Sequence, residues 1–211
     1  LFSDLFGPYP FDVYGVAIIG NVSFALETQT MSIFSRSVVT GRRDSERVIA
    51  HELVHQWFGD SVSLAQWKDI WLNEGFATYG QLLWLEHTEG ETALEQSIRQ
   101  YYEMISGGAG LGQGGSQFPP PGSPPSDDLF NTSVYVRGAL TLHALRLRIG
   151  DTAFFDTMRT YYDRYRDGNA TTGDFIDVAE ETSGQKLDEF FQGWLYEQQV
   201  PDIPEMGLSA P

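Results

Sequence analysis

The sequence contains no cysteine in 211 residues. Disulfide staples and thiol catalysis are therefore excluded, although the compartment is not fixed by that absence. Positive charge is scarce: 13 Lys and Arg stand against 29 Asp and Glu, for a formal net charge of −16. A nucleic-acid partner needs a basic footprint, and none is present. The acidic balance favours cationic substrates, free amino termini among them, and serves equally well as a solvated surface. No apolar run reaches the roughly 18 residues that a spanning helix needs, so no membrane span is expected in this segment. Neither Met nor a signal peptide opens the chain at Leu1, and the sequence reads as a processed form or an excised piece. The compartment stays unknown.

What is present suits one sizeable domain with a real core: 41% hydrophobic and 14% aromatic residues. Residues 1–10 read as an irregular lead-in broken by Gly7, Pro8 and Pro10. Phe11–Ile19, Val22–Leu26 and Met31–Thr40 are β-branched and aromatic and read as strands. The remainder is mostly helical in pattern, with helices expected over 73–87, 91–105, 134–149, 152–166, 172–182 and 187–198. The fold class is α+β, a small N-terminal β-sheet followed by a mostly α-helical lobe. The expected organisation is a single domain over 1–204: a sheet lobe (1–43), metal-site helices (44–105), a Gly/Pro-rich loop (106–128) and a helical lobe (129–204). Residues 205–211 read as a frayed tail. The loop contains Gly110-x-Gly112-x-x-Gly115, formally a dinucleotide fingerprint. It follows a helix instead of a strand, and prolines stand where a helix should begin, so it reads as a mobile loop at the rim of a cleft. The sequons at Asn21, Asn131 and Asn169 read as chance occurrences.

The chemistry concentrates in Val48–Asp60, V-I-A-H-E-L-V-H-Q-W-F-G-D. Its apolar surroundings predict a buried helix, with Asp44 or Ser45 as N-cap and Gly59 as C-cap. On a helix, His51 and His55 lie roughly 40° apart and about 6 Å along the axis, so both imidazoles reach one point. Glu52 falls about 60° to one side and can face a metal-held water without being a ligand. Downstream, with residues 56–73 intervening, comes W-L-N-E-G-F-A, where Asn73 reads as an N-cap and Glu74 opens the next helix. Two histidines and a glutamate form the ligand set of hydrolytic zinc sites that keep one position open. The plainer alternative is a pair of hydrogen-bonded core histidines and a first-turn carboxylate favoured by the helix dipole.

These residues resemble the gluzincin zinc aminopeptidases, the family of aminopeptidase N and the leukotriene-hydrolysing aminopeptidase. H-E-L-V-H-Q-W-F-G-D and W-L-N-E-G-F-A carry the likeness, which extends to T-T-G-D-F and L-D-E-F-F-Q-G-W-L near the C-terminus. The resemblance implies a thermolysin-like zincin catalytic domain with one zinc on His51, His55 and Glu74 and with Glu52 as general base. Tyr135, in Y-V-R-G about sixty residues beyond Glu74, resembles the family's Tyr-x-Lys-Gly segment, with Arg137 in place of the lysine. The role implied for it is a phenol donating to the oxyanion of the tetrahedral intermediate. Phe24-Ala25-Leu26-Glu27-Thr28 resembles the family's Gly-Ala-Met-Glu-Asn: Ala25 and Glu27 match, while Phe24, Leu26 and Thr28 depart. That likeness implies substrate binding through Ala25 and Glu27, the carboxylate holding the free α-amine. The family also implies an upstream β-rich domain absent from this chain. Asp69 reads first as a surface carboxylate and second as a hydrogen-bond partner of a zinc histidine, and His87 and His143 receive no role.

The reading is zinc-dependent removal of N-terminal residues from peptides. Its rivals are an endopeptidase of the same zinc class, for which Glu27 would be idle, and a non-catalytic module keeping zinc for stability. An intact Glu52 argues against the latter, because a structural zinc site needs no base and fills all four positions.

Overall fold

The computed structural model describes residues 1–20, 22–107 and 118–210, apart from the side chain of Asp44. Gly110, Gly112, Gly115 and Asn21 lie outside the described residues. The chain opens on a short helix, α1 (Phe2–Phe6), where an irregular lead-in is expected. Phe2 and Phe6 stand one turn apart and both insert against Trp57, with centroids 6.4 and 6.2 Å away. Burial of that apolar pair, with Gly7 ending the helix, makes the turn helical.

Strands β1 (Gly15–Ile19) and β2 (Met31–Ser35) pair in parallel, Gly15 opposite Met31 through Ile19 opposite Ser35. The expected strand Val22–Leu26 shrinks to one antiparallel bridge, Leu26 to Ile33. The expected strand over 31–40 ends at Ser35, whose side chain accepts from the Ser37 N–H and starts a 3-10 turn. β-Branched composition signals strand capacity, but partner availability sets strand length.

Helix α2 (Glu46–Val54) is shorter than expected: it starts after a 3-10 turn at Arg43–Ser45 and ends five residues before Gly59. It is not enclosed on all sides, since Val48 and Ile49 are 36% and 40% exposed. A short strand β3 (Val62–Leu64) follows and pairs in parallel with β4 (Gly168–Ala170), a two-stranded tie that has no alternating pattern in the sequence. The central element is α3 (Trp71–Glu89), which starts two residues earlier than expected, so Asn73 and Glu74 lie in its first turn. Trp71, Leu72, Phe76, Ala77, Tyr79, Leu82 and Leu83 on it are all at most 3% exposed. The aromatic core forms around Phe76, with Phe58, Trp71, Tyr161 and Phe175 between 4.9 and 5.9 Å centroid to centroid.

The rest of the helical lobe consists of α4 (Glu91–Ser106), α5 (Thr132–Ile149), α6 (Asp151–Tyr165), α7 (Thr172–Ser183) and α8 (Asp188–Leu195). Local chemistry marks several ends. Asn131 caps α5 by accepting from the Ser133 N–H, and Thr171 and Asp174 form a reciprocal capping box on α7. Asn131 is 7% exposed, which fits a cap better than a glycan acceptor. Helices α3 and α5 touch backbone to backbone: a Cβ on Gly75 would lie 2.9 Å from the Gly138 Cα, and a Cβ on Gly138 would lie 2.9 Å from the Gly75 Cα.

Two loose segments are firmer than expected. Of the loop, the described stretch 118–128 is docked: the Gly122 N–H donates to the Leu195 carbonyl, and Gln198 Nε2 donates to the Phe118 carbonyl. The tail folds back through an Ile203–Leu208 bridge, and Leu208 is 8% exposed, so burial of one leucine holds it. Among the described residues no helix is long and apolar enough to cross a membrane.

Candidate metal centre

The site lies where two helix ends meet. His55 follows α2 with helical dihedrals (φ −57°, ψ −24°), and its N–H still bonds the His51 carbonyl at 3.3 Å. The i,i+4 spacing therefore survives the helix end and aims both rings the same way, with centroids 4.7 Å apart. Glu74 arrives from the first turn of α3. Its Oε2 lies 3.3 Å from His51 Nε2 and 3.5 Å from His55 Nε2. The Gly75–Gly138 contact brings Tyr135 to the same place on α5, where its ring stacks on His51 at 6.2 Å and 18°.

The donors fit a single zinc ion. Tetrahedral donors at about 2.0–2.1 Å from one ion lie about 3.3–3.4 Å from each other, close to the separation of Glu74 from either histidine. His55 Nδ1 faces the Phe58 carbonyl at 3.2 Å, so the ring has an oxygen acceptor at each nitrogen. Such a ring needs positive charge at one end, supplied by a proton or a metal ion. In this cage burial opposes a charged His55, but contact with Glu74 outweighs it and lifts its pKa to about 9. For Glu74 burial acts upward, and the hydrogen bonds to His51 and His55 overcome it, holding the carboxyl at about 2. Burial pushes the His51 pKa down, and its Nδ1 is buried without a partner.

Glu52 stands beside this trio without joining it, a carboxylate oxygen within 4.8 Å of a ring nitrogen of His55. Burial, with the charges of Glu27, Glu74 and Asp60, raises its pKa to about 7 against the opposing pull of His55. A carboxylate with that affinity for a proton is matched to general-base work near neutral pH. Tyr135 is raised by burial and then by Glu74, Glu27 and Glu52, so it remains a protonated phenol and a donor.

On the sheet side, Ala25 and Glu27 are half-buried while Phe24, Leu26 and Thr28 are exposed, a period-two alternation around the Leu26 bridge. Ligating atoms of Glu27, Glu52 and His55 lie within 4.8 Å of one another. The structure thus brings together His51, Glu52, His55, Glu74, Tyr135 and Glu27, while Ala25 shares the half-buried face of its segment with Glu27.

Asp69 departs from its expected surface position. It is 2% exposed and accepts from Thr172 Oγ1 at 2.7 Å, and Thr172 accepts from Trp71 Nε1 at 2.8 Å. It fastens the start of α7 to the start of α3. His143 is a core residue facing Tyr79 Oη at 3.2 Å. Sequence reasoning missed Asp60, whose carboxyl is raised by burial to about 7 and receives a 2.7 Å bond from Gln56. It also missed the role of Arg137, a residue 1% exposed whose guanidinium donates to the carbonyls of Gly193, Trp194, Glu197, Gln198 and Gln199.

Comparison with known proteins matches residues 5–194 to the peptidase family M1 domain. Aminopeptidase N of Streptomyces lividans is 33% identical over 70% of this chain and 18% of its own length. Aminopeptidase M1-C of rice, Oryza sativa subsp. japonica, is 28% identical over 90% of this chain and 21% of its own length. This chain therefore spans about a fifth of those relatives. A mutant M1 zinc metallopeptidase from Deinococcus radiodurans, solved with a Tyr-Ser-Ala substrate, superposes with a TM-score of 0.83 at 36% identity. That match covers 97% of this chain and 44% of the other. Yeast LTA4 hydrolase shares the fold at a TM-score of 0.79 and 23% identity, over 94% of this chain and 34% of that one.

Proposed function

The chain belongs to peptidase family M1, and on that premise we propose that it carries the catalytic centre of a zinc aminopeptidase. The observation that carries the reading is Glu27. Its carboxylate stands within 4.8 Å of the ligating atoms of Glu52 and His55, at the edge of a site already rich in negative charge. An ammonium at a peptide's amino terminus is the natural counter-charge there.

His51, His55 and Glu74 would hold the zinc. When bound, zinc supplies Lewis-acid polarisation of the scissile carbonyl and acidifies a water molecule. Glu52 takes a proton from the attacking water and returns it to the leaving amine, two transfers suited to a carboxyl with a pKa near 7. Tyr135 donates its phenolic hydrogen to the oxyanion that develops on the carbonyl. Glu27, with Ala25 beside it, fixes the amino terminus and so the register of the scissile bond. An upstream β-rich domain is part of this proposal, since the chain spans only about a fifth of its curated relatives.

A panel of peptides with free and with acetylated amino termini, offered to the zinc-loaded protein, tests the reading. Preference for free termini by at least about 10-fold in kcat/KM is expected. Equal cleavage of both sets would instead make the protein an endopeptidase of the same zinc class.

A further inference from the structure

Glu27 is separated from α2 by a turn that its own sequence does not favour. Thr30 has a φ of +64°, in the left-handed region that β-branched residues avoid. Strain of that kind persists where surrounding contacts over-determine it. The Gly15 N–H donates to the Thr30 carbonyl at 2.8 Å and the Met31 N–H to the Thr28 carbonyl at 2.9 Å, and one side chain ties the turn to the helix end. Gln56, the residue after His55, is 0% exposed and uses both ends of its amide. Its Oε1 accepts from the Thr30 N–H at 2.8 Å and from Tyr9 Oη at 3.3 Å. Its Nε2 donates to the Glu27 carbonyl at 3.2 Å and to Asp60 Oδ2 at 2.7 Å. The amide cannot be reversed without loss: a backbone N–H must donate, and a carbonyl must accept.

We propose that Gln56 is a positioning residue for substrate-amine recognition, locking the Glu27–Thr30 turn to the end of the helix that carries His51 and His55. The inference rests on the aminopeptidase reading above. Gln56 touches neither the reacting atoms nor the ammonium; it acts through the place it gives Glu27. The amide grips the turn at both ends, the Glu27 carbonyl and the Thr30 N–H, as a neighbouring strand would. The amine anchor therefore keeps a fixed distance from the candidate metal ligands, and the scissile bond keeps its register. Asp60 and Tyr9 in turn hold the amide.

The test is Gln56→Glu, of equal size but without the donor, in the zinc-loaded protein at its full natural length. Gln56→Met, equal in length and uncharged, serves if a buried carboxylate prevents folding. A loss of about 10- to 100-fold in kcat/KM is expected on free-amine peptides, with less than about 3-fold on acetylated analogues. Zinc per chain should not change. Calorimetric binding of L-arginine should weaken by a similar factor, and binding of N-acetyl-L-arginine should not. On a Glu27→Ala background Gln56→Glu should cost less than about 3-fold more, because the two side chains act as a unit. Equal losses on both substrate sets, additive with Glu27→Ala, or zinc loss would overturn the positioning role. If Glu27→Ala alone loses equally on both sets, the aminopeptidase reading fails first and this inference falls with it.

Discussion

In the proposed aminopeptidase function, Glu27 is the residue on which exopeptidase character turns. A buried ammonium–carboxylate contact contributes roughly 2–4 kcal/mol, mostly by positioning. Glu27→Ala should lower kcat/KM on free-amine peptides by about 30- to 1000-fold and leave acetylated peptides nearly unaffected. Steady-state kinetics on the paired substrates measures this. Glu52 and Tyr135 are separable from the ligands by the same logic. Glu52→Gln keeps shape and hydrogen bonding but cannot accept a proton, so zinc should remain while activity drops at least about 10²-fold. Tyr135→Phe should lose about 10²–10³-fold in kcat, the scale of one oxyanion donor. A change confined to KM would reassign Tyr135 to packing or uniform binding.

At the scale of elements, the site depends on a helix crossing. Gly75 adjoins Glu74, and Gly138 follows Tyr135 by three residues, so one close contact sets the distance between α3 and α5 and between the two functional groups. In Gly75→Ala the new methyl would meet the Gly138 backbone at 2.9 Å, and a backbone cannot yield as a flexible side chain does. A stability loss of about 1–3 kcal/mol is expected from this overpacking, together with a fall in kcat as Tyr135 is pushed away from Glu74. Gly173→Ala in the first turn of α7 is the control. Its nearest neighbour beyond the adjacent residues would be Thr171 Oγ1 at 3.6 Å, and it should be neutral or stabilising by up to about 1 kcal/mol. Urea unfolding and kcat, measured on both variants, decide the matter.

For the molecule as a whole, Arg137 joins the site to the C-terminal lobe. Five carbonyls converge on its guanidinium, that of Trp194 buried and the others partly so, a geometry that suits the planar fork of N–H donors and leaves a lysine short. Burial lowers its pKa only to about 10, so it stays charged at neutral pH. Arg137→Lys should therefore cost about 2–4 kcal/mol, read as a lower urea midpoint, even though both residues are cations. Zinc couples to folding at the same scale. Its proposed ligands come from the end of α2 and the start of α3, which meet only in the folded chain. Free zinc at a thousandfold excess over its Kd should stabilise by about 4 kcal/mol, and His55→Ala should abolish the rise in unfolding midpoint.

Of the proposed zinc ligands, the histidine pair was legible in the sequence because its geometry is local, whereas Glu74 reaches it from the start of a second helix. Four residues on a helix place His51 and His55 together whatever surrounds them, and Glu52 follows from the same 3.6-residue period. The caps at Thr171 and Asn131 are local in the same way. The family resemblance supplied Glu27 and Tyr135, whose approach to the histidines depends on chain segments far apart in sequence. Tertiary structure alone decided the parallel β1–β2 pairing, the strand ends, the burial of Asp69 and the docked tail. Each of these is a choice of partner, and composition records the capacity to pair without naming the partner. Gln56 and Arg137 lay in plain view as polar residues beside a motif. Only the folded chain set the Glu27–Thr30 turn against one and residues 193–199 against the other, because a long polar side chain is drawn into a core only where buried backbone groups have no nearer partner.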